Sequence, residues 1–293
     1  MGSSNLSPEI GDVCLEATDL WFAYDEGPSV LQGVSLEIKV GDFVALIGQN
    51  GSGKTTLAKH FNGLLRPSRG RVLLHGEDNR ERSVAYLART VGYVFQNPDH
   101  QIFSATTREE IAFGPRNIGL EESEVQRRTE QALEYFALTA YADYQPAILG
   151  FGLRRKVSIA AVYAMRTKVL ILDEPTAGLD WKSTHELMQR VGDLHRKGHT
   201  IILITHDMRL VAQYAPRCMV LRDGCILASD DTRGIFKQAD LLRETHIELP
   251  QICELARRLE PFNLKGNILT VAEFLEGYGN LVERSEIGHA GRR

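Results

Sequence analysis

Gly48-Gln49-Asn50-Gly51-Ser52-Gly53-Lys54-Thr55 is the stretch from which the rest of the chain is read, because it fills every fixed position of the phosphate-loop pattern GxxxxGK[ST]. Chemistry explains the spacing. Glycines let the backbone curl until several N–H groups point inward at one phosphate. A helix starting where the loop ends turns its positive N-terminal end to the same anion. Lys54 is placed to reach the β- and γ-phosphates of a nucleotide, and the Thr55 hydroxyl to ligate Mg²⁺. Gly48, Gln49, Asn50, Gly51, Ser52, Gly53, Lys54, Thr55 and the next residue, Thr56, are therefore the candidate nucleotide-binding set. The flanks agree: Phe43-Val44-Ala45-Leu46-Ile47 is an apolar run suited to a buried strand, and residues 57–65 read as a helix. The motif by itself does not choose among kinases, GTPases and ATPases.

Outward from the loop, residues 15–24 and 30–38 alternate loosely and are joined by the turn Gly27-Pro28, so they read as two strands. Residues 71–75 and 91–95 are further strands. From about 97 to 165 the pattern becomes helical: residues 121–138 place Val125, Ala132, Leu133 and Phe136 on one face, and residues 152–165 form another helix. The sheet resumes at 168–172. A helix over 181–197 leads through Gly198 into a strand at 200–205, which is the crossover unit of a parallel sheet. Val220-Leu221, Asp223-Gly224 and Ile226-Leu227 read as a closing hairpin. Two weaker helices, 249–259 and 271–278, lie in the tail. The expected fold is α/β, with a main domain over 13–237 and a small helical extension over 238–293.

Bulk properties narrow the function. The 293 residues are 43% hydrophobic and 25% charged, ordinary for a globular chain, and the net charge of −4 gives no basic excess for nucleic acid. Cys14, Cys218, Cys225 and Cys253 form no CxxC pair and no zinc spacing, and read as reduced structural thiols. The N-terminus lacks the basic start and apolar run of a secretory leader. The longest apolar runs, such as Ile201-Ile202-Leu203-Ile204, fall far short of the roughly 20 residues that a membrane span needs.

About 120 residues beyond the loop comes Val169-Leu170-Ile171-Leu172-Asp173-Glu174-Pro175-Thr176. Four apolar residues followed by an acid place Asp173 at the tip of a buried strand, where it can hold the Mg²⁺ shell. Glu174, one residue on, can orient or deprotonate an attacking water. The run continues as Ala177-Gly178-Leu179-Asp180, and the whole resembles the Walker B segment and D-loop of ATP-binding-cassette (ABC) proteins. That resemblance implies a P-loop NTPase of ABC architecture: a RecA-like parallel core, an N-terminal antiparallel β subdomain and a helical insert. It implies ATP and Mg²⁺ as cofactors and an Asp180 that crosses a dimer interface. Thr205-His206-Asp207 resembles the switch segment, which puts His206 on the γ-phosphate. Gln96, at the end of the strand 91–95, resembles the Q-loop glutamine, a Mg²⁺ ligand that couples the insert to the nucleotide. Tyr24 resembles the aromatic residue that stacks on adenine.

One element departs from the family. Where ABC proteins carry LSGGQ, this chain has Leu149-Gly150-Phe151-Gly152-Leu153, followed by Arg154-Arg155-Lys156. In the family this element binds the γ-phosphate held by the opposite subunit. The lost serine hydroxyl weakens that contact by about 1.5–3 kcal/mol, which is roughly ten- to a hundredfold, unless Arg154 or Arg155 compensates. The expectation is a heterodimer with a second cassette whose signature is intact, a homodimer being the alternative.

Phe95-Gln96-Asn97-Pro98-Asp99-His100-Gln101-Ile102-Phe103 and Thr107-Arg108-Glu109-Glu110-Ile111-Ala112-Phe113-Gly114-Pro115 resemble the ATPase subunits of energy-coupling-factor importers of metals and vitamins. The resemblance implies a membrane-spanning coupling subunit, a separate membrane subunit that binds the cargo, and a peripheral place on the cytoplasmic face of the plasma membrane. It also implies that Asp99 receives a basic side chain from the coupling subunit. A soluble cassette ATPase, or an ATP-binding regulatory subunit with low turnover, is the alternative.

Overall fold

A computed structural model describes residues 9–262, 264 and 267–290. The first sheet is antiparallel, in the order β2 (Ser29–Lys39), β1 (Val13–Ala23), β4 (Arg69–Leu74), β5 (Glu77–Asp78). The second has six strands, with β3 (Phe43–Ile47) near its middle and the order β10-β9-β3-β8-β7-β6. Here β6 is Val91–Val94, β7 Val169–Asp173, β8 Thr200–Ile204, β9 Arg217–Arg222 and β10 Cys225–Asp231. All neighbours are parallel except β9 and β10. Every residue of β3, β6, β7 and β8 is buried, as expected of strands covered on both faces.

Helices α1 (Lys54–Phe61) and α2 (Val84–Leu87) belong to the part that joins the two sheets. The insert contributes α3 (Thr107–Asn117), α4 (Glu122–Tyr135) and α5 (Phe151–Met165). A full capping box starts α3: the Thr106 side chain accepts from the Glu109 N–H, and the Glu109 carboxylate accepts from the Thr106 N–H. The remaining helices are α6 (Trp181–Arg196), α7 (Met208–Tyr214), α8 (Thr232–Lys237), α9 (Ala239–Glu244), α10 (Gln251–Leu259) and α11 (Val271–Ala290). The hairpin turn is Asp223-Gly224, both at positive φ, a backbone that suits the twist of antiparallel strands.

The helix expected over 57–65 instead starts at Lys54, because the loop's last glycine, Gly53, adopts φ 102° and serves as its N-cap. The tail is also more structured than its weak periodicity implied: α11 runs 20 residues rather than stopping at 278. Leu242, Ile247, Cys253 and Leu269 of the tail are buried in the same apolar cluster as β3 and β7. Each such buried side chain contributes about 1.5–3 kcal/mol, so the extension is fastened to the main body by core packing. All four cysteines are free; Cys14, Cys218 and Cys253 are buried, and Cys225 is exposed.

Candidate active site

Four neighbouring strand ends build the site. The phosphate loop follows β3, His206 follows β8, Asp173 and Glu174 end β7, and Phe95-Gln96 follow β6. Ligands of open α/β sheets gather at this carboxyl edge. Because β8 lies between β3 and β7, residues 118 apart in sequence meet: the Thr55 hydroxyl donates to Asp173 Oδ2 at 2.8 Å.

The loop's curl is enforced by close packing. A Cβ on Gly48 would lie 2.1 Å from the Leu221 carbonyl oxygen, and one on Gly53 would lie 2.9 Å from a Leu31 methyl. Inside the curl, the Lys54 ammonium donates to the carbonyls of Gly48 (2.8 Å) and Gln49 (2.7 Å). Two of its three protons are thereby placed, leaving one for an anion. Burial lowers the Lys54 pKa, and the nearby Glu174 and Asp173 carboxylates act against that. Ser52 Oγ is buried in the same loop without a partner among the described residues.

Asp173 is 1% exposed, and its Oδ2 accepts from Thr55 and from the Tyr93 hydroxyl at 2.8 Å. Its Oδ1 is buried with no partner among the described residues. A buried carboxylate oxygen left unpaired is costly, and a hard cation is the group that suits it. With the Thr55 hydroxyl it makes a pair of hard oxygen donors of the kind Mg²⁺ takes, the rest of that ion's shell being phosphates and water. Thr55 and Asp173 are the residues that would hold it.

Glu174 sits at φ 47°, a left-handed conformation uncommon for glutamate, and its N–H donates to the Ile204 carbonyl at 2.9 Å. That contact fixes the residue against the end of β8 and brings its Oε1 to 2.8 Å from His206 Nδ1. The Tyr24 hydroxyl lies 3.1 Å from Thr56 Oγ1, which places the ring, 46% exposed, beside the first turn of α1.

The other candidates are engaged differently. The Gln96 side chain is exposed; the fold grips its carbonyl instead, through the buried Arg155 guanidinium, which also donates to the Phe95 carbonyl at 2.7 Å. Asp180 caps its own helix, accepting from the Ser183 N–H at 2.7 Å, and that N–H lowers its pKa. Gly150 and Gly152 flank the altered signature at the start of α5. Phe151 turns its ring back into its own subunit, over the Arg155 guanidinium at 5.5 Å and against Gly178. A Cβ on Gly178 would come within 2.8 Å of that ring. Leu153 packs partly buried against the core. Arg155 is committed to the β6 loop and is not free to replace a lost signature hydroxyl. Asp99 already has a cation within the chain, Arg154 Nε at 3.3 Å.

Sequence reading missed the roles of Tyr93 and Arg155. Tyr93 offers no local signal, since it reads as one more residue of a buried strand. Arg155 offers little more, since it is the middle of the basic run Arg154-Arg155-Lys156 and nothing local marks it as the buried member.

The family described as ABC transporter matches residues 31–177. An energy-coupling factor transporter ATP-binding protein, EcfA of Methanocaldococcus jannaschii, is 41% identical over 256 residues, covering 87% of this chain and 91% of that one. An ABC transporter ATP-binding protein of Caldanaerobacter subterraneus is 47% identical over 249 residues, and the chain spans only 44% of that relative's length. The solved structure of CbiO1 from Clostridium perfringens, described as part of the ABC transporter complex CbiONQ, superposes with a TM-score of 0.71 at 35% identity, covering 84% of this chain and 99% of that one. With residues 48–55, Asp173, Glu174 and His206 assembled at one sheet edge, this chain belongs to the ABC transporter family and is one of its ATP-hydrolysing cassettes.

Proposed function

We propose that the chain powers an energy-coupling-factor importer of a metal ion or vitamin from the cytoplasmic face of the plasma membrane. The observation that carries the catalytic part is the unpaired, buried Asp173 Oδ1 beside the Thr55–Asp173 bond. Lys54 and the loop N–H groups hold the β- and γ-phosphates, while Ser52 Oγ turns toward the same anion. Thr55 and Asp173 would hold Mg²⁺, which would supply neutralisation of the phosphate charge. Glu174 orients a water and takes its proton as the water oxygen bonds to phosphorus and ADP leaves. His206 holds Glu174 in place and contacts the γ-phosphate. Tyr24 stacks on adenine, and Gln96, on a backbone braced by Arg155, relays the state of the site to the insert.

This chain offers the membrane partner an apolar hollow. A cavity of about 360 Å³ beside the β6 loop is lined by Leu64, Val84, Tyr93, Phe103, Phe113 and Met165. Phe103 and Phe113 meet edge to face at 4.6 Å and are 65% and 43% exposed. Among the described residues no helix is long and apolar enough to cross a membrane. In this reading separate subunits supply the membrane path and the cargo site.

Hydrolysis needs a second cassette, whose signature closes this chain's site while Asp180 of this chain crosses the interface. Phe151 favours an unlike partner. It also favours a second reading, in which the chain binds ATP and turns it over little. Coexpression with a coupling subunit and a second cassette separates the two. Glu174→Gln in that complex should lower ATPase by about 10²- to 10⁴-fold while Mg-ATP binding persists; unchanged ATPase would sink the mechanism.

A further inference from the structure

His246 lies 197 residues beyond Gln49, yet the Gln49 side-chain N–H donates to its Nδ1. The tail is thus hydrogen-bonded to the second residue of the phosphate loop. The two histidines of this region share one cavity of about 370 Å³, lined by Gly48, Gln49, Asn50, His206, His246 and Glu248. His206 is the residue bonded to Glu174, so the cavity opens on the hydrolytic side of the site.

The backbone at His246 is unusual. It follows α9 at φ 51°, a conformation that crowds any Cβ and that glycine adopts freely. Its N–H donates to the Arg243 carbonyl at 2.9 Å, and the Ile247 N–H donates to the Leu242 carbonyl at 2.8 Å. Leu242 and Ile247 are both buried, so the position is pinned on each side. As a helix stop alone, this position is served best by glycine. The imidazole is exposed, and its hydrogen bond is to the phosphate loop.

We propose that His246 is a positioning residue for ATP: from the C-terminal extension it holds the Gln49 side chain, and so keeps the phosphate loop in the curl that receives the triphosphate. This rests on residues 48–55 being the triphosphate cradle. A loop that reaches its binding-competent curl only part of the time binds more weakly in proportion. The extension therefore sets nucleotide affinity directly, and anything that shifts α9 alters it.

The test uses the full-length chain, with equilibrium Mg-ATP binding and thermal melting measured side by side. His246→Gly removes the imidazole and relieves the backbone. The melting temperature should hold or rise while ATP affinity falls about three- to tenfold, the span of one hydrogen bond. His246→Gln, whose side-chain oxygen can accept the same N–H, should restore affinity to within about twofold. Gln49→Ala should match the His246→Gly loss, and the double variant should be no weaker than either. The proposal is overturned if His246→Gly binds ATP like the parent, if His246→Gln fails to rescue, or if the two losses add. Lys54→Ala, run alongside, separates this from its foundation: ATP binding retained there overturns the cradle reading itself.

Discussion

At Gly48 no side chain fits, since a Cβ would lie 2.1 Å from the Leu221 carbonyl oxygen, and its φ of 152° is one that L-residues rarely adopt. Gly48→Ala should force the loop and the end of β9 apart, costing about 1–3 kcal/mol. Equilibrium titration should show Mg-ATP binding lost while far-ultraviolet circular dichroism stays close to that of the parent. Gly51 gives the contrast: its φ of 82° favours glycine, but a Cβ there would meet nothing within 4 Å. Both glycines were legible as parts of one motif. Which of them was pressed against another strand was not, because Leu221 lies 173 residues away.

Among elements, the junction of α8 with α11 is held by Arg233, whose guanidinium pairs with Glu273. Partial burial pushes the Glu273 pKa up, but Arg233 and the Leu269 N–H, at 2.8 Å, outweigh it and hold the carboxyl below its ordinary 4.5. The stabilisation is therefore full above about pH 4.5 and fades as the pH falls through the folded-state value. The protection factors of the α11 amides, taken against their intrinsic exchange rates at each pH, should fall on acidification in the parent. In Arg233→Ala they should already be low at neutral pH and change less with acid. The elements themselves were mostly legible, because β3, β7 and β8 are continuous apolar runs and α4 carries a clear helical stripe. α7, α8 and α9 were not, since helices of six or seven residues carry too few turns to show a period.

For the whole molecule, the consequence lies in assembly. Phe151 is 37% exposed and occupies the signature position with a ring that packs on Arg155 and Gly178 of its own subunit. Restoring the family pattern with Gly150→Ser, Phe151→Gly and Leu153→Gln should strengthen a copy's grip on its partner's nucleotide by about ten- to a hundredfold. In a Glu174→Gln background, Mg-ATP should then drive self-dimerisation on a sizing column, whereas the unrestored chain should pair only with an unlike cassette. ATP-dependent self-pairing of the unrestored chain would remove the case for a heterodimer. The sequence by itself determined the α/β class and the phosphate-loop pattern, and it singled out Asp173, Glu174 and His206 as candidates, because each lies in a run of consecutive residues whose chemistry suits that order. Tertiary structure alone decided that Tyr93 bonds to Asp173, that Arg155 braces the β6 loop, that Asp99 is paired within the chain and that His246 reaches Gln49. These contacts join residues 55 to 197 apart, and strand order and core packing, rather than any local pattern, bring them together.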